Sequence, residues 1–180
     1  AQMELRNAGI ENVTYIPHGV NTEVYKPLEN RAECRKLFFL PEDEFIVGVV
    51  AMNRARKMIP RMLRGYRRFL ELNPDVKSHL MLWCNVMPQT MPDETAVGVA
   101  DVGVDLVPEI LRLGLGEAVR WPSWAEIEQM GGLPEQNPGG WDMVKLYNCF
   151  DVLLLCSGGE AAGMPLLEAQ ACGRAQGRSC

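Results

Sequence analysis

Short apolar runs alternate along this chain with segments of helical periodicity. Residues 45–50 and 150–156 are nearly continuous apolar runs, as expected of strands that are buried on both faces of a sheet. Between them, residues 59–72 carry apolar side chains at a spacing of three and four, which predicts an amphipathic helix with one buried face. The apolar positions of this helix are Ile59, Met62, Leu63, Tyr66, Phe69 and Leu70.

The remaining segments continue this alternation. The first residues are expected to end a helix at Gly9, and Pro108 is expected to interrupt one of the later helices. Strands that alternate with helices favour a parallel sheet with helices on both faces, so the predicted fold class is α/β and Rossmann-like. Further strands are predicted over residues 11–16, 79–84 and 118–121, and further helices over residues 31–37, 102–113, 124–130, 141–148 and from residue 165 onward.

Two loops are expected to lie together at one edge of this sheet. Residues 53–57 and 159–164 each follow a predicted strand, and ligands of such folds bind beyond the carboxyl ends of the strands. The first loop contains Arg54, Arg56 and Lys57. These side chains lie between a buried strand and a helix N-terminus, where an anion is favoured.

The second loop is rich in small residues and leads into a helix that begins near Pro165. Such a helix start directs backbone N–H groups and the positive end of the helix dipole toward the loop, an arrangement that commonly binds phosphate. Glu160 lies in the loop and Glu168 lies about one turn into the helix, on a face that can look back toward the loop. The alternative interpretation is an ordinary strand–loop–helix corner with two surface glutamates.

The composition limits the possible classes of function. The chain has 180 residues and a formal net charge of −5, with 47% hydrophobic and 23% charged residues, which suits one soluble globular domain. The mild acidity argues against a nucleic-acid partner. No apolar run reaches the roughly 18 residues of a transmembrane segment. The start of the chain has no apolar signal segment, so the domain is expected to begin in mid-protein.

Six cysteines and two histidines are the candidate metal ligands and redox groups. The cysteines include no Cys-x-x-Cys pair and most lie in apolar runs, so buried thiols in a reducing cytoplasm are favoured over disulfides or metal ligands. The histidines, His18 and His79, are far apart in the sequence. We therefore predict no metal site and a cytoplasmic protein.

Four segments carry a resemblance to a known family. Residues 157–173 resemble the Glu-x7-Glu signature of retaining glycosyltransferases with the GT-B fold, in particular glycosyltransferase family 4 (group 1). Residues 53–61 are similar to the family's Asn-x-x-Arg-Lys-Asn-x-x-Arg segment, and residues 146–152 to its Leu-Tyr-x-x-x-Asp-Val segment. Residues 16–21 resemble the segment that joins the first domain of these transferases to the second. The resemblance implies that residues 1–173 form the donor-binding half of a GT-B fold.

The resemblance also implies a substrate and its phosphate contacts. The substrate would be a nucleoside-diphosphate sugar, whose sugar is transferred without a cofactor or a bound metal. Lys57, together with Arg54 or Arg56, would pair with the diphosphate. The backbone N–H groups around Gly163 and Met164 would add to this charge stabilisation.

Five further residues receive roles from the same resemblance. Glu168 would accept hydrogen bonds from the ribose hydroxyls. Glu160 would lie near the donor sugar, in contact with its hydroxyls or with the positive charge at its anomeric carbon. By analogy of position, the nucleobase would lie near Trp121, Pro122 and Ser123.

Two departures from the family pattern bear on activity. Ala161 and Ala162 replace a Gly-Phe pair, which removes a glycine that lets the backbone approach the sugar closely. Residues 174–180 do not resemble the strand that follows in the family, so we expect them to be a tail foreign to it and the last part of the domain to be missing. The acceptor domain of the family has no counterpart in this chain. The sequence therefore predicts half an active site and no turnover by this chain alone.

Two other functions are compatible with the same signature. A nucleotide-sugar epimerase of the same fold is one, although its own motifs are not evident. A non-catalytic remnant that binds nucleotides or oligomerises is the other, because an incomplete sheet exposes an edge strand that can pair with a second copy.

Overall fold

A five-stranded parallel sheet forms the centre of the computed structural model, which describes residues 2–88, 103–132, 140–160 and 162–178. The strands are β1 (Phe45–Val50), β2 (Ser78–Trp83), β3 (Val119–Arg120), β4 (Val152–Leu155) and β5 (Ala175–Arg178). The helices are α1 (Gln2–Asn7), α2 (Arg31–Leu37), α3 (Ile59–Leu72), α4 (Val107–Arg112), α5 (Trp124–Gln129), α6 (Met143–Cys149) and α7 (Met164–Ala171).

The order of the strands places β1 at the centre of the sheet. The order is β3-β2-β1-β4-β5, and every neighbouring pair is parallel. The chain builds outward from β1 to β3, then returns and adds β4 and β5 on the other side of β1. The carboxyl ends of β1 and β4 therefore flank the point at which the strand order reverses, which is where open α/β sheets bind ligands. The predicted fold class is confirmed.

Helices cover both faces of this sheet. α3 and α4 pack on one face, and the buried face predicted for α3 is confirmed. α2, α6 and α7 cover the other face. The first core includes Val47, Val49, Ile59, Met62, Leu63, Tyr66, Leu80, Leu82, Leu106 and Ile110. The second core includes Phe38, Ile46, Val50, Leu146, Tyr147, Phe150, Leu153, Leu166 and Ala169.

Asp151, the residue before β4, ties three elements together. Its carboxylate accepts hydrogen bonds from Arg31 at 2.6 Å, from Arg35 at 2.7 Å and from the Ile46 amide at 2.7 Å. Burial opposes the ionisation of Asp151, but the Ile46 N–H and the two arginines outweigh it and hold the pKa of Asp151 below its ordinary value. The carboxylate is therefore charged at neutral pH, and it holds α2 and β4 against the start of β1.

Most predicted elements are present with boundaries shifted by one or two residues. The predicted strand over 11–16 is wrong: these residues are largely exposed, and no described strand lies beside them to complete a ladder. The predicted helix over 102–113 is shorter, since α4 begins at Val107. Pro108 lies in its first turn, where a proline is tolerated, and does not interrupt it. Residue 102 of this predicted helix lies outside the described residues.

The end of the chain contains a strand that the sequence does not predict. Gly173 ends α7 with a φ of 72°, and the Arg174 N–H donates to the Ala169 carbonyl at 2.9 Å. Residues Ala175–Arg178 then form β5 beside β4. An edge strand is held by backbone hydrogen bonds and tolerates polar side chains, so it need not show an apolar run.

The described residues also bear on membrane association and on the cysteines. Within these ranges, no helix is both long enough and apolar enough to cross a bilayer. Five cysteines are free thiols, namely Cys34, Cys84, Cys149, Cys156 and Cys172, and each is buried or half-buried.

Gly48 lies against the ring of Phe150, so a methyl group at this position is expected to destabilise the fold. A Cβ at residue 48 would lie 2.2 Å from the buried ring, which cannot move without disturbing a close-packed core. We expect Gly48→Ala to lower the free energy of unfolding by roughly 1–3 kcal/mol. Urea unfolding followed by circular dichroism measures this change.

The matched control is Gly65→Ala in α3, where a Cβ meets no atom within 4 Å. This substitution is expected to raise the free energy of unfolding by about 0.5–1 kcal/mol, because alanine is the better helix former. Equal unfolding midpoints for the two variants would contradict the packing of Phe150 on β1.

Candidate functional site

The loop after β1 presents basic side chains at the carboxyl edge of the sheet. It forms a short 3-10 turn, Ala55–Lys57, before α3 begins. In this turn Lys57 is buried and Arg56 is exposed, and the Lys57 N–H donates to the Arg54 carbonyl at 2.9 Å. Met58 follows with a φ of 51°, a left-handed conformation that costs free energy for a residue with a side chain. Strain of this kind is often found at functional sites.

The loop after β4 is bonded directly to the loop after β1. The Gly158 N–H donates to the Arg56 carbonyl at 2.7 Å, and the Ser157 hydroxyl oxygen lies 3.2 Å from the same carbonyl oxygen. In return, the Arg56 guanidinium donates to the Gly159 carbonyl at 2.9 Å. The prediction that the two loops share one edge of the sheet is confirmed.

Glu160 is the anion that the basic side chains meet in this structure. The Lys57 ammonium donates to Glu160 Oε1, and Arg56 Nη1 lies 3.9 Å from the same oxygen. Burial opposes the ionisation of Glu160, but hydrogen bonds from Lys57 and Ser157 and the charges of Lys57 and Arg56 outweigh it and lower the pKa of Glu160. Glu160 is therefore a carboxylate at neutral pH.

The start of α7 lies beside these charges. Gly163 precedes the helix with a φ of 63°, a left-handed conformation that glycine adopts without strain. Its carbonyl accepts a hydrogen bond from the Leu166 N–H at 2.9 Å. Met164 is the first residue of α7, so its N–H belongs to the turn whose amides have no acceptor within the helix. The positive end of the helix dipole thus faces the loop, as the sequence predicts for Gly163 and Met164.

Glu168 lies farther along α7 and is held by α6. The Tyr147 hydroxyl donates to the Glu168 carboxylate at 2.5 Å. Tyr147 is completely buried, whereas Glu168 is half-buried. Burial raises the pKa of Tyr147 far above its ordinary value, and the hydrogen bond to Glu168 and the negative charge of Glu168 raise it further. A carboxylate accepts more than one hydrogen bond, so Glu168 retains capacity for other donors. Tyr147 lies in one of the family-like segments of the sequence, but no role is predicted for it there.

A cavity of about 480 Å³ opens between the loop after β1, the end of β2 and the start of α7. Its polar lining comes from Asn53, Arg56, Lys57 and Asn85, and α7 contributes Pro165. The cavity therefore places the two cations and the start of α7 around one space.

A second cavity of about 490 Å³ adjoins the first on the side of β3. Both cavities are lined by Trp83, Cys84 and Asn85 at the end of β2. The second cavity is largely aromatic, and its walls include Trp124 and Trp141. Burial raises the pKa of Cys84 to about 12, so this thiol stays protonated at neutral pH. Among the described residues, no three His, Cys, Asp or Glu side chains are grouped as metal ligands.

Of the three residues predicted near a nucleobase, Pro122 lines the second cavity, whereas Trp121 and Ser123 lie beside it and not in its wall. The Ser123 hydroxyl accepts the Glu126 N–H at 3.2 Å, and the Glu126 carboxylate accepts the Ser123 N–H at 2.8 Å, which caps α5. Trp121 packs against the core on the α3 face. Trp124, which is 64% exposed, also forms part of the cavity wall.

Asn53 positions the first loop, a role that the sequence analysis misses. It is 5% exposed, its amide donates to the Val104 carbonyl at 2.6 Å, and its oxygen accepts the Val104 N–H at 3.2 Å. A Cβ at Gly103 would lie 2.4 Å from the Asn53 carbonyl oxygen, so only glycine fits there. The available signal was an asparagine that lies three residues after the end of a buried strand.

The sequence relatives of this chain are glycosyltransferases. No family model matches the chain. The D-inositol 3-phosphate glycosyltransferase of Saccharomonospora viridis is 26% identical over 171 residues, which cover 95% of this chain and 35% of the relative. The enzyme of the same name from Thermobispora bispora is 28% identical over 171 residues, with the same coverage of 95% and 35%. The chain thus spans about a third of the length of the curated relatives it matches.

Solved structures share the fold. The C-terminal domain of a glycosyl transferase group 1 family protein from Francisella tularensis has a TM-score of 0.62 at 19% identity, and the match covers 89% of this chain and 70% of that one. The Anabaena protein HepE in complex with UDP-glucose has a TM-score of 0.67 at 18% identity, with coverage of 98% and 42%. The chain thus shares the Rossmann-like fold of the C-terminal domain of the Francisella tularensis protein. The resemblance to group 1 glycosyltransferases that the sequence motifs indicate is confirmed.

The hydrogen bond from Tyr147 to Glu168 is expected to be strong, because its donor is buried and its acceptor is charged. Tyr147→Phe should lower the free energy of unfolding by about 1.5–3 kcal/mol, the usual range for a hydrogen bond to a charged group. The matched control is Tyr66→Phe, which removes a buried hydroxyl that donates to the neutral Ser78 hydroxyl at 3.2 Å and should cost about 1 kcal/mol. Urea unfolding compares the two, and an equal cost would contradict the contribution of the Glu168 charge.

Proposed function

We propose that this chain is the donor-binding half of a retaining glycosyltransferase, which moves a sugar from a nucleoside diphosphate to an acceptor. The observation that carries the proposal is the meeting of Arg56, Lys57 and the start of α7 around one cavity. Cations and a helix N-terminus are the groups that bind a diphosphate. The names of the curated relatives support sugar transfer, and the UDP-glucose in the HepE complex supports a nucleotide-sugar donor.

The chain would act mainly on the leaving group. When the bond between the anomeric carbon and the phosphate oxygen breaks, the electron pair stays on the nucleoside diphosphate. Lys57, with Arg54 or Arg56, would stabilise this charge, and the Met164 N–H would add to the effect. In this scheme the side chains of the protein supply the positive charge, and no metal or cofactor takes part.

The rest of the donor would extend across the two cavities. Glu168, oriented by Tyr147, would accept hydrogen bonds from the ribose hydroxyls. Glu160 would contact the donor sugar. The nucleobase would occupy the second cavity, where the exposed ring of Trp124 offers a stacking surface in place of Trp121 and Ser123.

The acceptor would have to come from outside this chain. By resemblance, a separate domain would supply the acceptor site, and the transfer would retain the anomeric configuration of the sugar. We therefore expect no turnover by this chain alone. Its free thiols favour a reducing compartment, and we place its action in the cytoplasm.

Calorimetric titration of the folded chain tests the proposal. UDP, GDP, ADP and their glucose conjugates are the probes, and saturable binding of one pair is expected. Lys57→Ala should weaken that binding about tenfold or more, because it removes a charge-assisted contact from a partly enclosed site. The control is Lys77→Ala, which removes an exposed lysine just before β2 at the opposite edge of the sheet.

Two outcomes would contradict the proposal. One is the absence of binding to any probe in a sample that circular dichroism shows to be folded. The other is an equal loss of affinity in Lys57→Ala and Lys77→Ala, which would mean that the binding is unrelated to the cleft.

A second candidate function, that of an oligomerising module, rests on β5. This strand lies at one edge of the sheet. Beside it is an apolar cavity of about 520 Å³, whose lining includes Phe69, Leu154 and Ala175. Such a surface can be covered by the same surface of a second copy.

Sedimentation equilibrium tests this second candidate. A dimer that Ala175→Lys converts to a monomer would support pairing through β5, because a lysine on an edge strand opposes pairing. A monomer at all concentrations, or a dimer unaffected by the substitution, would contradict it.

A further inference from the structure

The buried cation of the cleft already has an anionic partner. Lys57 donates to Glu160 Oε1, and Arg56 lies 3.9 Å from the same oxygen. These two cations also line the cavity in which we place the diphosphate. Glu160 and a bound diphosphate would therefore compete for the same positive charges.

Glu160 is the member of this pair that can exchange partners. Lys57 has a side-chain exposure of 11% and lies where a 3-10 turn leads into α3, so its surroundings hold it in place. Glu160 lies in the loop between β4 and α7 with a side-chain exposure of 26%. Its carboxylate can turn from the ammonium toward the cavity without uncovering the core.

A nucleotide sugar and a free nucleoside diphosphate differ in what they offer this carboxylate. The nucleotide sugar carries sugar hydroxyls beside its diphosphate, and these can donate to Glu160 once it leaves Lys57. The free diphosphate carries no such donors at that end. Its terminal phosphate also has a further oxygen that ionises near neutral pH, which brings more negative charge toward Glu160.

We propose that Glu160 makes the cleft favour the nucleotide sugar over the free nucleoside diphosphate, because it competes with that product for Lys57. The inference rests on the proposed function and names the selectivity of the same site. The hydroxyls of the donor sugar would replace the ion pair that Glu160 loses, whereas the free diphosphate offers no hydroxyl at that end. After transfer, the return of the carboxylate to Lys57 would help to expel the product.

The test compares Glu160→Gln with the parent chain by calorimetric titration. UDP and UDP-glucose are the first probes, followed by the GDP and ADP pairs. The neutral glutamine should tighten the binding of the free diphosphate roughly fivefold or more, because the competing charge is gone. The sugar conjugate should gain less or lose affinity, so the ratio of the two dissociation constants should fall. Glu160→Asp keeps the charge and should keep the weak binding of the diphosphate.

Two further variants test whether the change in diphosphate affinity arises from competition for Lys57. Glu44→Gln removes a carboxylate beside His79 just before β1, at the opposite edge of the sheet, and should leave both constants unchanged. Glu160→Gln should tighten diphosphate binding much less in a Lys57→Ala background than in the parent chain, since only Arg56, 3.9 Å from the carboxylate, is then contested. An equal gain in the two backgrounds, or any gain in Glu44→Gln, would contradict competition for Lys57.

The results separate this inference from the proposed function. If the parent chain binds nucleotides and Glu160→Gln leaves the diphosphate affinity unchanged or lower, the inference is overturned and the proposed function stands. If the folded parent chain binds neither member of any pair, the proposed function is overturned and the inference falls with it.

Discussion

The hydrogen bonds of Asp151 hold together the parts of the fold on which the site depends. β1 and β4 are distant in the sequence and share only a short ladder, in which Val47 pairs with Val152 and Gly48 with Leu153. Asp151 extends this contact at the amino end, because its N–H donates to the Ile46 carbonyl at 2.8 Å and its carboxylate accepts the Ile46 N–H. Two arginines of α2 neutralise and hydrogen-bond that carboxylate, which allows a charge to be stable in a partly buried position. Because β1 and β4 run in the same direction, holding their amino ends together also sets the relative positions of the two loops at their carboxyl ends.

The two glutamates of the Glu-x7-Glu segment lie in different physical environments. Glu168 accepts a hydrogen bond from a buried neutral phenol, so its position is set by the packing of α6 against α7. Glu160 is bound by a charge that an anionic ligand can also use. One carboxylate is thus held in a fixed position, while the other is held by an interaction that depends on what occupies the cleft. This difference is the basis for assigning Glu168 to binding of the ribose hydroxyls and Glu160 to selectivity.

The predictions made from the sequence succeeded where a feature is repeated or local. The apolar runs of β1 and β4, the periodicity of α3, and the approach of Arg56 and Lys57 to the second loop all follow from periodicity and from the rule for parallel sheets. Predictions of strands, which depend on pairing with a segment that is distant in the sequence, were less successful. Residues 11–16 have the composition of a strand but no neighbouring strand in the described part of the chain, whereas β5 lacks that composition and is held by β4.

The sequence by itself determined the fold class, the edge of the sheet that carries the site, and the chemical types gathered there, because these depend on periodicity, on turn chemistry and on residues close together in the chain. Only the tertiary structure decided which groups contact one another: Glu160 with Lys57, Tyr147 with Glu168, and Asn53 with Val104. It also placed Trp124 in the cavity wall where Trp121 and Ser123 had been expected. The physical reason is that such contacts join segments far apart in the chain, and their geometry is set by the packing of whole helices and strands and not by local preference.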